Sequence, residues 1–268
     1  MAFSDMSWWH RASSASAVAL PFLLLTTGLM TAVLYGVERS VLPEAAVLFG
    51  LFGPAMFAIA FVAAEKNASL KALLEQYVRV KAPLQVYLVA LFTVPILLLI
   101  TQQVAPLLLP GLSWTPFAAL SIPQMVFVPL ISIGEELGWR GYLQPRMREH
   151  FSLPTASVIV GVIWALWHMP GYVFNTGVVE GISFFWFCAW VVSGAVIMGW
   201  LYERSGSVFV AIVFHTSANA SFNMILVVPN ETGSPILFQV FVVLAAMSAT
   251  ALMLFRSRSS PMPAVMTR

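Results

Sequence analysis

The residues best suited to chemistry lie in one stretch near the middle of the chain, where Glu135, Glu136 and Arg140 follow a long apolar segment. A charged side chain at membrane depth costs about 2.5 kcal/mol or more, so such groups normally face a cavity and pair with one another. Glu136 precedes Arg140 by four residues, the favourable order for an ion pair within a helix. Glu135 points about 100° away from that pair and stays free for chemistry. If the apolar segment instead ended at Ile133, the same charges would lie at the membrane surface.

Two histidines inside later apolar runs supply further reactive groups. His215 and Asn219 are four residues apart and project from one helix face, and Trp164 and His168 do the same on another helix. A carboxylate beside a histidine can activate water as a general base, and a second histidine with an amide can stabilise a developing oxyanion. Alternatively, Glu135, His168 and His215 could hold a zinc ion that keeps a water in its open position.

The composition predicts which kind of element positions these residues. Of 268 residues, 60% are hydrophobic and 9% are charged, whereas soluble domains contain about 25% charged residues. The chain is therefore predicted to be an all-α, polytopic membrane protein. Its single cysteine, Cys188, excludes an internal disulfide and a cysteine-based metal site.

Apolar runs of about 20 residues can each cross the hydrocarbon of a bilayer. Such runs predict about eight transmembrane helices in a single domain that covers residues 1–268. The short polar tail 257–268 is predicted to be flexible. The predicted spans are 18–37, 45–64, 84–105, 116–137, 154–174, 183–202, 207–228 and 236–255.

The distribution of Lys and Arg predicts the orientation of these spans. Every Lys and Arg except Arg39 falls in a segment that the alternation of eight spans places on one side. The positive-inside rule assigns that side to the cytoplasm, so both termini are predicted to be cytoplasmic.

The helix rise predicts that the acid and the imidazoles lie at a similar depth. At 1.5 Å per residue, His215 lies about 12 Å below a helix start at Ser207. Glu135 lies roughly 12–15 Å below the same surface if its helix continues to residues 143–145. The segment Met169-Pro170-Gly171 is predicted to break the fifth span after its histidine, and unwound backbone at depth belongs beside a cavity. The sequence therefore predicts one cavity in the cytoplasmic half of the bilayer, reachable from the inner face.

Three motifs together resemble a known family. They are Glu135-Glu136-x-x-x-Arg140, an aromatic-x-x-x-His motif that ends at His168, and His215-x-x-x-Asn219. In this order they are similar to the CPBP family of intramembrane proteases, which comprises CAAX prenyl proteases and bacteriocin-processing (abortive-infection) proteases. The resemblance covers residues of about 116–228, the implied catalytic core, and eight spans suit the family. One departure is Trp164, where the usual pattern has Phe.

The resemblance implies an intramembrane endopeptidase of the CAAX-protease type, which hydrolyses a peptide bond of a membrane-associated protein or peptide, lipidated or not. Glu135 would activate water with His168, while His215 and Asn219 would stabilise the tetrahedral intermediate. The family is labelled metalloprotease, and two alternatives stay open: a zinc ion held by the acid and both imidazoles, or catalysis without a metal. The residues implied to support the site are Glu136, Arg140 and Trp164.

The resemblance also implies the location and the partners of the protein. Its implied partners are the protein or peptide substrate and the lipid bilayer, with no nucleic acid. The run Glu-Glu-Leu-Gly-Trp-Arg-Gly-Tyr-Leu is close to the prokaryotic branch of the family. It therefore implies an integral protein of the cell (inner) membrane of a prokaryote.

Two other functions stand as alternatives. A proton- or cation-coupled transporter could use the same glutamates and histidines as a proton relay or cation site. Internal repeats would favour a transporter, but the sequence shows none. A non-catalytic membrane scaffold would not need the complete set of polar residues, which argues against it.

Overall fold

The computed structural model describes residues 8–108, 117–177 and 181–254. All regular elements within these ranges are helices, which confirms the predicted all-α class. The predicted flexible tail 257–268 lies outside the described residues. A 3₁₀ turn, Glu44–Ala46, precedes α2, and a π-helical segment, Leu137–Leu143, joins α6 to α7. The α-helices are α1 (Trp8–Glu38), α2 (Val47–Leu51), α3 (Gly53–Ala64), α4 (Leu70–Val78), α5 (Leu84–Leu108), α6 (Ile122–Glu136), α7 (Gln144–Arg148), α8 (Leu153–Trp167), α9 (Met169–Val173), α10 (Phe184–Ser205), α11 (Val208–Met224), α12 (Pro229–Thr232) and α13 (Ile236–Leu254).

Six helical stretches in the described ranges are long and apolar enough to cross a membrane: α1, α5, α8 with α9, α10, α11 with α12, and α13. The pair Glu44–Leu51 and Gly53–Ala64, bent by 44°, makes a seventh if it is one span. The predicted fourth span, 116–137, corresponds to α6, which has 15 residues and continues into the π-helical segment. The polytopic helical architecture is thus confirmed, while the number of eight spans and the cytoplasmic termini stay predictions.

Serine caps fix where the three helices that carry predicted site residues begin. Ser121 accepts a hydrogen bond from the first turn of α6, and Gln124 completes a capping box with it. Ser152 caps α8 and Ser207 caps α11 in the same way. A serine at this position satisfies one of the backbone N–H groups that a helix start leaves unpaired. Each cap therefore sets the register of its helix.

The helix that contains the acidic pair continues past it, which is the condition on which the predicted depth of Glu135 depended. The chain passes from α6 through the π-helical segment into α7 without leaving a helical path. π-Helical turns are rare and occur frequently at functional sites. Gly138 lies so close to α3 that a Cβ on it would be 2.6 Å from the carbonyl oxygen of Pro54. Glycine at this position therefore allows the close approach of α3 to the π-helical segment.

The predicted break after His168 occurs, but the backbone is not unwound there. The α8 helix ends at Trp167, and α9 begins at Met169. The N–H of His168 bonds to the carbonyl of Ala165 at 3.1 Å, which is a tighter turn than an α-helix makes. The stretch Leu153–Val173 therefore still forms one candidate span.

The central helices of the bundle are α8, α10 and α11. In these helices 50–56% of the most apolar window is buried, compared with 33% in α1, α5 and α13. The outer helices expose large apolar side chains such as Leu24, Phe92 and Val243. A helix that is apolar all round is typical of a membrane span. Two of the enclosed helices, α8 and α11, carry predicted site residues.

Candidate active site

A buried carboxylate links an arginine and a histidine from two parts of the fold. Both carboxylate oxygens of Glu136 lie 2.9 Å from Nη1 of Arg140, so the ion pair predicted within the helix is present. Nδ1 of His215 lies 2.8 Å from Oε1 of Glu136. Because a carboxylate paired with a guanidinium is ionised and can only accept, the imidazole donates its Nδ1–H. The other ring nitrogen, Nε2, is then the one free to act.

Glu135 is held by two tryptophans rather than by a cation. Its Oε2 accepts hydrogen bonds from Nε1 of Trp164 at 2.7 Å and Nε1 of Trp139 at 3.3 Å. The side chain is almost fully buried but lines a cavity. Its other oxygen, Oε1, makes no hydrogen bond to any residue that the structure describes. The carboxylate is therefore oriented through one oxygen and available through the other.

His168 is oriented by the backbone of its own helix. Its Nδ1 lies 2.8 Å from the carbonyl oxygen of Trp164. A carbonyl can only accept, so Nδ1 carries the proton and Nε2 carries the lone pair. The ring packs edge-on against Trp167 and Phe187, with centroids 4.8 and 4.9 Å apart. This imidazole is thus fixed in one tautomer with its basic nitrogen unblocked.

The four residues predicted to be catalytic line a single cavity of about 930 Å³. Asn219 is partly buried, and its side-chain amide makes no hydrogen bond to any residue in the described ranges. Trp164 lines the same cavity, whereas Glu136 and Arg140 lie behind its wall. The predicted catalytic residues on its wall are Glu135, His168, His215 and Asn219.

The cavity extends from these residues to one end of the bundle. Its wall includes Ala118 before α6, Thr176 after α9 and Asn230 in α12. The N–H of Ala118 bonds to the carbonyl of Met224 at 2.9 Å, which places the start of α6 beside the end of α11. All three wall segments therefore belong to the end of the bundle that carries few basic residues.

The opposite, basic end is closed by α4 and the π-helical segment. All seven residues of that segment are buried. The hydroxyl of Tyr77 donates to the carbonyl of Ile133 at 2.7 Å, and the hydroxyl of Tyr202 donates to Gln76 at 2.7 Å. The cavity thus reaches the end opposite to the one expected, since the sequence predicted access from the basic, cytoplasmic face.

Several polar contacts at the site were not predicted from the sequence. Trp139 is four residues after Glu135, so the same spacing rule that paired Glu136 with Arg140 could have identified it. Gln124 donates to Asn223 at 2.7 Å, and the two residues are 99 positions apart. No local pattern signals such a contact, because it depends on how α6 and α11 pack.

The predicted zinc ligands do not form a ligand group. Within residues 8–108, 117–177 and 181–254, no three His, Cys, Asp or Glu side chains are arranged to hold a metal ion. A zinc site with an open position normally needs three convergent protein ligands. As arranged, Glu135, His168 and His215 do not fit a zinc ion.

Comparison with known proteins identifies the family. Residues 114–221 match the family model of the Rce1-like proteins, described as type II CAAX prenyl endopeptidases. This range contains all three motifs on which the resemblance was based. Over this range the chain is similar to the Rce1-like family. A relative, CAAX prenyl protease 2 of the archaeon Methanococcus maripaludis (strain S2), is 29% identical over 70% of this chain and 76% of its own length.

The match to the Rce1-like family model and the similarity to a CAAX prenyl protease together confirm the predicted class of enzyme. The protein is an intramembrane protease of the CAAX type, and therefore a hydrolase. Its apolar helices confirm an integral membrane protein. The comparisons give no support to the transporter alternative.

Proposed function

We propose that this Rce1-like protease cleaves a peptide bond of a membrane-associated protein with a water molecule activated by Glu135. One observation carries the proposal: Glu135 lines the same cavity as His168, His215 and Asn219, with one carboxylate oxygen unbonded. A buried carboxylate without a cationic partner suits the role of a general base.

The bond-making step uses the two groups with free lone pairs. Oε1 of Glu135 takes a proton from water, and Nε2 of His168 accepts the second water hydrogen and orients the oxygen. That oxygen attacks the carbonyl carbon of the scissile bond and forms a tetrahedral intermediate. The proton held by Glu135 then passes to the leaving nitrogen as the C–N bond breaks. The products are a new carboxyl terminus and a new amine.

The negative charge of the intermediate needs donors on the other side of the cavity. The amide of Asn219 and Nε2–H of His215, protonated on both ring nitrogens, would donate to the oxyanion. The carboxylate of Glu136 would hold the imidazole in place through Nδ1, while Arg140 fixes that carboxylate. No metal takes part in these steps.

The substrate class follows from the relative's name and from the cavity. The archaeal relative is called a CAAX prenyl protease 2, so we infer a substrate with a lipid-modified cysteine near its C-terminus. Ligand cavities typically measure about 300–1,000 Å³, and this one, of about 930 Å³, is large enough for an apolar chain and a peptide. Its wall is rich in aromatic groups, including Phe187, Trp190, Phe222 and Phe238.

The proposed location is the cell membrane of a prokaryote. The run of residues around Glu135 is close to the prokaryotic branch, and the relative comes from an archaeon. Fractionation of cells that produce the tagged protein would test this directly. Recovery in the soluble fraction would contradict it.

The proposed function is tested with purified protein in proteoliposomes. Two peptides with the same CAAX-type C-terminus, one farnesylated on its cysteine and one not, are incubated in H₂¹⁸O and analysed by mass spectrometry. We expect cleavage of the farnesylated peptide, with one ¹⁸O in the new carboxyl terminus. Failure of folded protein to cleave either peptide would overturn the substrate assignment, and peptide uptake without cleavage would indicate a transporter.

A further inference from the structure

We propose that Trp164 is the positioning residue of the site, and that its indole N–H and its backbone carbonyl orient the general base and its partner histidine together. This inference rests on the proposed function of Glu135 and His168. The resemblance implies only that Trp164 supports the site. The role proposed here is specific to Trp, because the Phe of the usual pattern has no N–H to donate.

The contacts of Trp164 reach four groups of the site. Nε1 lies 2.7 Å from Oε2 of Glu135, and the carbonyl oxygen lies 2.8 Å from Nδ1 of His168. The guanidinium carbon of Arg140 lies 4.7 Å from the centre of the indole. The ring of His215 meets the indole edge-on, with centroids 5.2 Å apart. One side chain on α8 therefore touches residues of α6, the π-helical segment and α11.

A second indole assists from the π-helical segment. Nε1 of Trp139 lies 3.3 Å from the same oxygen, Oε2 of Glu135. Trp139 is fully buried and is held edge-on by Phe22 and Trp167, with centroids 5.5 and 5.8 Å apart. Two rigid donors on one oxygen fix the carboxylate plane. The lone pairs of Oε1 are then directed away from both indoles and available to water.

The energetic reason for this arrangement is that, among the described residues, no cation is bonded directly to the base. Hydrogen bonds from N–H groups to an ionised carboxylate are roughly twice as strong as those between neutral groups. Arg140 is bonded to Glu136 rather than to Glu135. The indoles thus supply the donors that an ionised Glu135 needs without a direct ion pair, which would make it a poorer base.

The alternative role for Trp164 is that of a wall residue whose ring only fills space. The chain contains a matched control for this alternative in Trp167, three residues later on the same helix. Trp167 is also buried and lines the same cavity, but its Nε1 has no hydrogen-bond partner among the described residues. Replacement of either indole by phenyl removes similar volume, but only Trp164→Phe removes a bond to the base.

The kinetic test compares Trp164→Phe, Trp139→Phe and Trp167→Phe in the proteoliposome assay. Loss of a charge-assisted hydrogen bond that orients a reacting group is expected to lower kcat by about 10- to 100-fold. We expect this fall for Trp164→Phe with KM changed by less than about threefold, and a smaller fall for Trp139→Phe, whose bond is longer. A kcat of Trp164→Phe within about threefold of that of the unmodified protein would overturn the proposal.

A spectroscopic test separates this inference from the proposed function. In ¹⁵N-tryptophan-labelled protein, the indole resonance of Trp164 is assigned by its loss in Trp164→Phe. We expect Glu135→Ala to shift the indole protons of Trp164 and Trp139 upfield, and to leave that of Trp167 nearly unchanged. An unshifted Trp164 resonance in folded Glu135→Ala protein would overturn the positioning role even if the enzyme were an active protease. A shifted resonance, together with an unmodified protein that cleaves neither peptide, would instead overturn the proposed function alone.

Discussion

Oε1 of Glu136 lies 2.8 Å from Nδ1 of His215, and both carboxylate oxygens lie 2.9 Å from Nη1 of Arg140. Glu136 and Arg140 are fully buried, and His215 nearly so. This relationship ties α6, the π-helical segment and α11 together at the floor of the cavity. It also assigns the two adjacent glutamates different roles, since only Glu135 lines the cavity.

The buried ion pair predicts a strong effect of removing one partner. Glu136→Gln leaves the guanidinium of Arg140 without a counter-charge, and breaking a buried pair typically costs about 3–5 kcal/mol. We expect a clear fall in the thermal unfolding temperature of the detergent-solubilised protein. The double variant Glu136→Gln/Arg140→Met should recover much of that stability but not the activity. A single variant as stable as the unmodified protein would contradict this account.

The bond between His215 and Glu136 predicts that folding and catalysis can be separated. In His215→Asn the amide can still donate to Glu136 from near the position of Nδ1, but nothing replaces Nε2. We expect a folded protein with activity lower by about 100-fold or more, as for loss of an oxyanion donor. The matched control is His10→Asn, at an exposed position outside the site. Activity of His215→Asn within about threefold of that control would argue against the role of Nε2.

Local spacing was sufficient to predict part of this site. The Glu136–Arg140 pair follows from residues four apart on a helix, and the placement of His215 and Asn219 on one cavity follows from the same spacing. The continuation of the helix past the acids was a condition of the predicted depth of Glu135, and the structure meets it. These features depend on neighbours along one helix, which the sequence displays directly.

Contacts between helices could not be predicted in this way. His215 bonds to Glu136 rather than to Glu135, and this choice depends on the rotation of α11 relative to α6. Trp164 was expected only to support the site, because an aromatic residue four positions before His168 indicates a shared face but no partner for Nε1. The direction of the cavity likewise depends on how α4 packs under the bundle.

The close approach of α3 predicts that Gly138 tolerates no side chain. A Cβ there would lie 2.6 Å from the carbonyl oxygen of Pro54, so backbone would have to move. Overpacking of this kind costs about 1–3 kcal/mol, and we expect Gly138→Ala to lower thermal stability and activity. Gly28→Ala is the control, because nothing lies within 4 Å of its added Cβ. Equal stability of the two variants would show that the packing is looser than described.

The arrangement of donors predicts catalysis without a bound metal. Among the residues described, no three potential ligands converge. Dialysis against EDTA, with 1,10-phenanthroline added to the assay, should leave activity within about twofold of the untreated enzyme. Loss of activity that added zinc restores would contradict this prediction.

The distribution of basic residues and the course of the cavity predict which side of the membrane each end of the helix bundle faces. In a Cys188→Ala background, Lys66→Cys reports on the basic end and Asn230→Cys on the cavity mouth. We expect a membrane-impermeant maleimide to label position 230 in intact cells and position 66 only after permeabilisation, because the positive-inside rule places Lys66 in the cytoplasm. The reverse labelling pattern would indicate the opposite topology, with the cavity mouth at the cytoplasmic face.

The measurement closest to the central claim is the rate at which Glu135→Gln cleaves the farnesylated peptide in proteoliposomes. Glu44→Gln serves as its matched control, since Glu44 is exposed and far from the site in the chain. A general base contributes typically 10²–10⁴-fold, so the account predicts a fall of at least about 100-fold for Glu135→Gln and no fall for Glu44→Gln, with both proteins folded and reconstituted equally. A Glu135→Gln protein that cleaves at the rate of the control would contradict it.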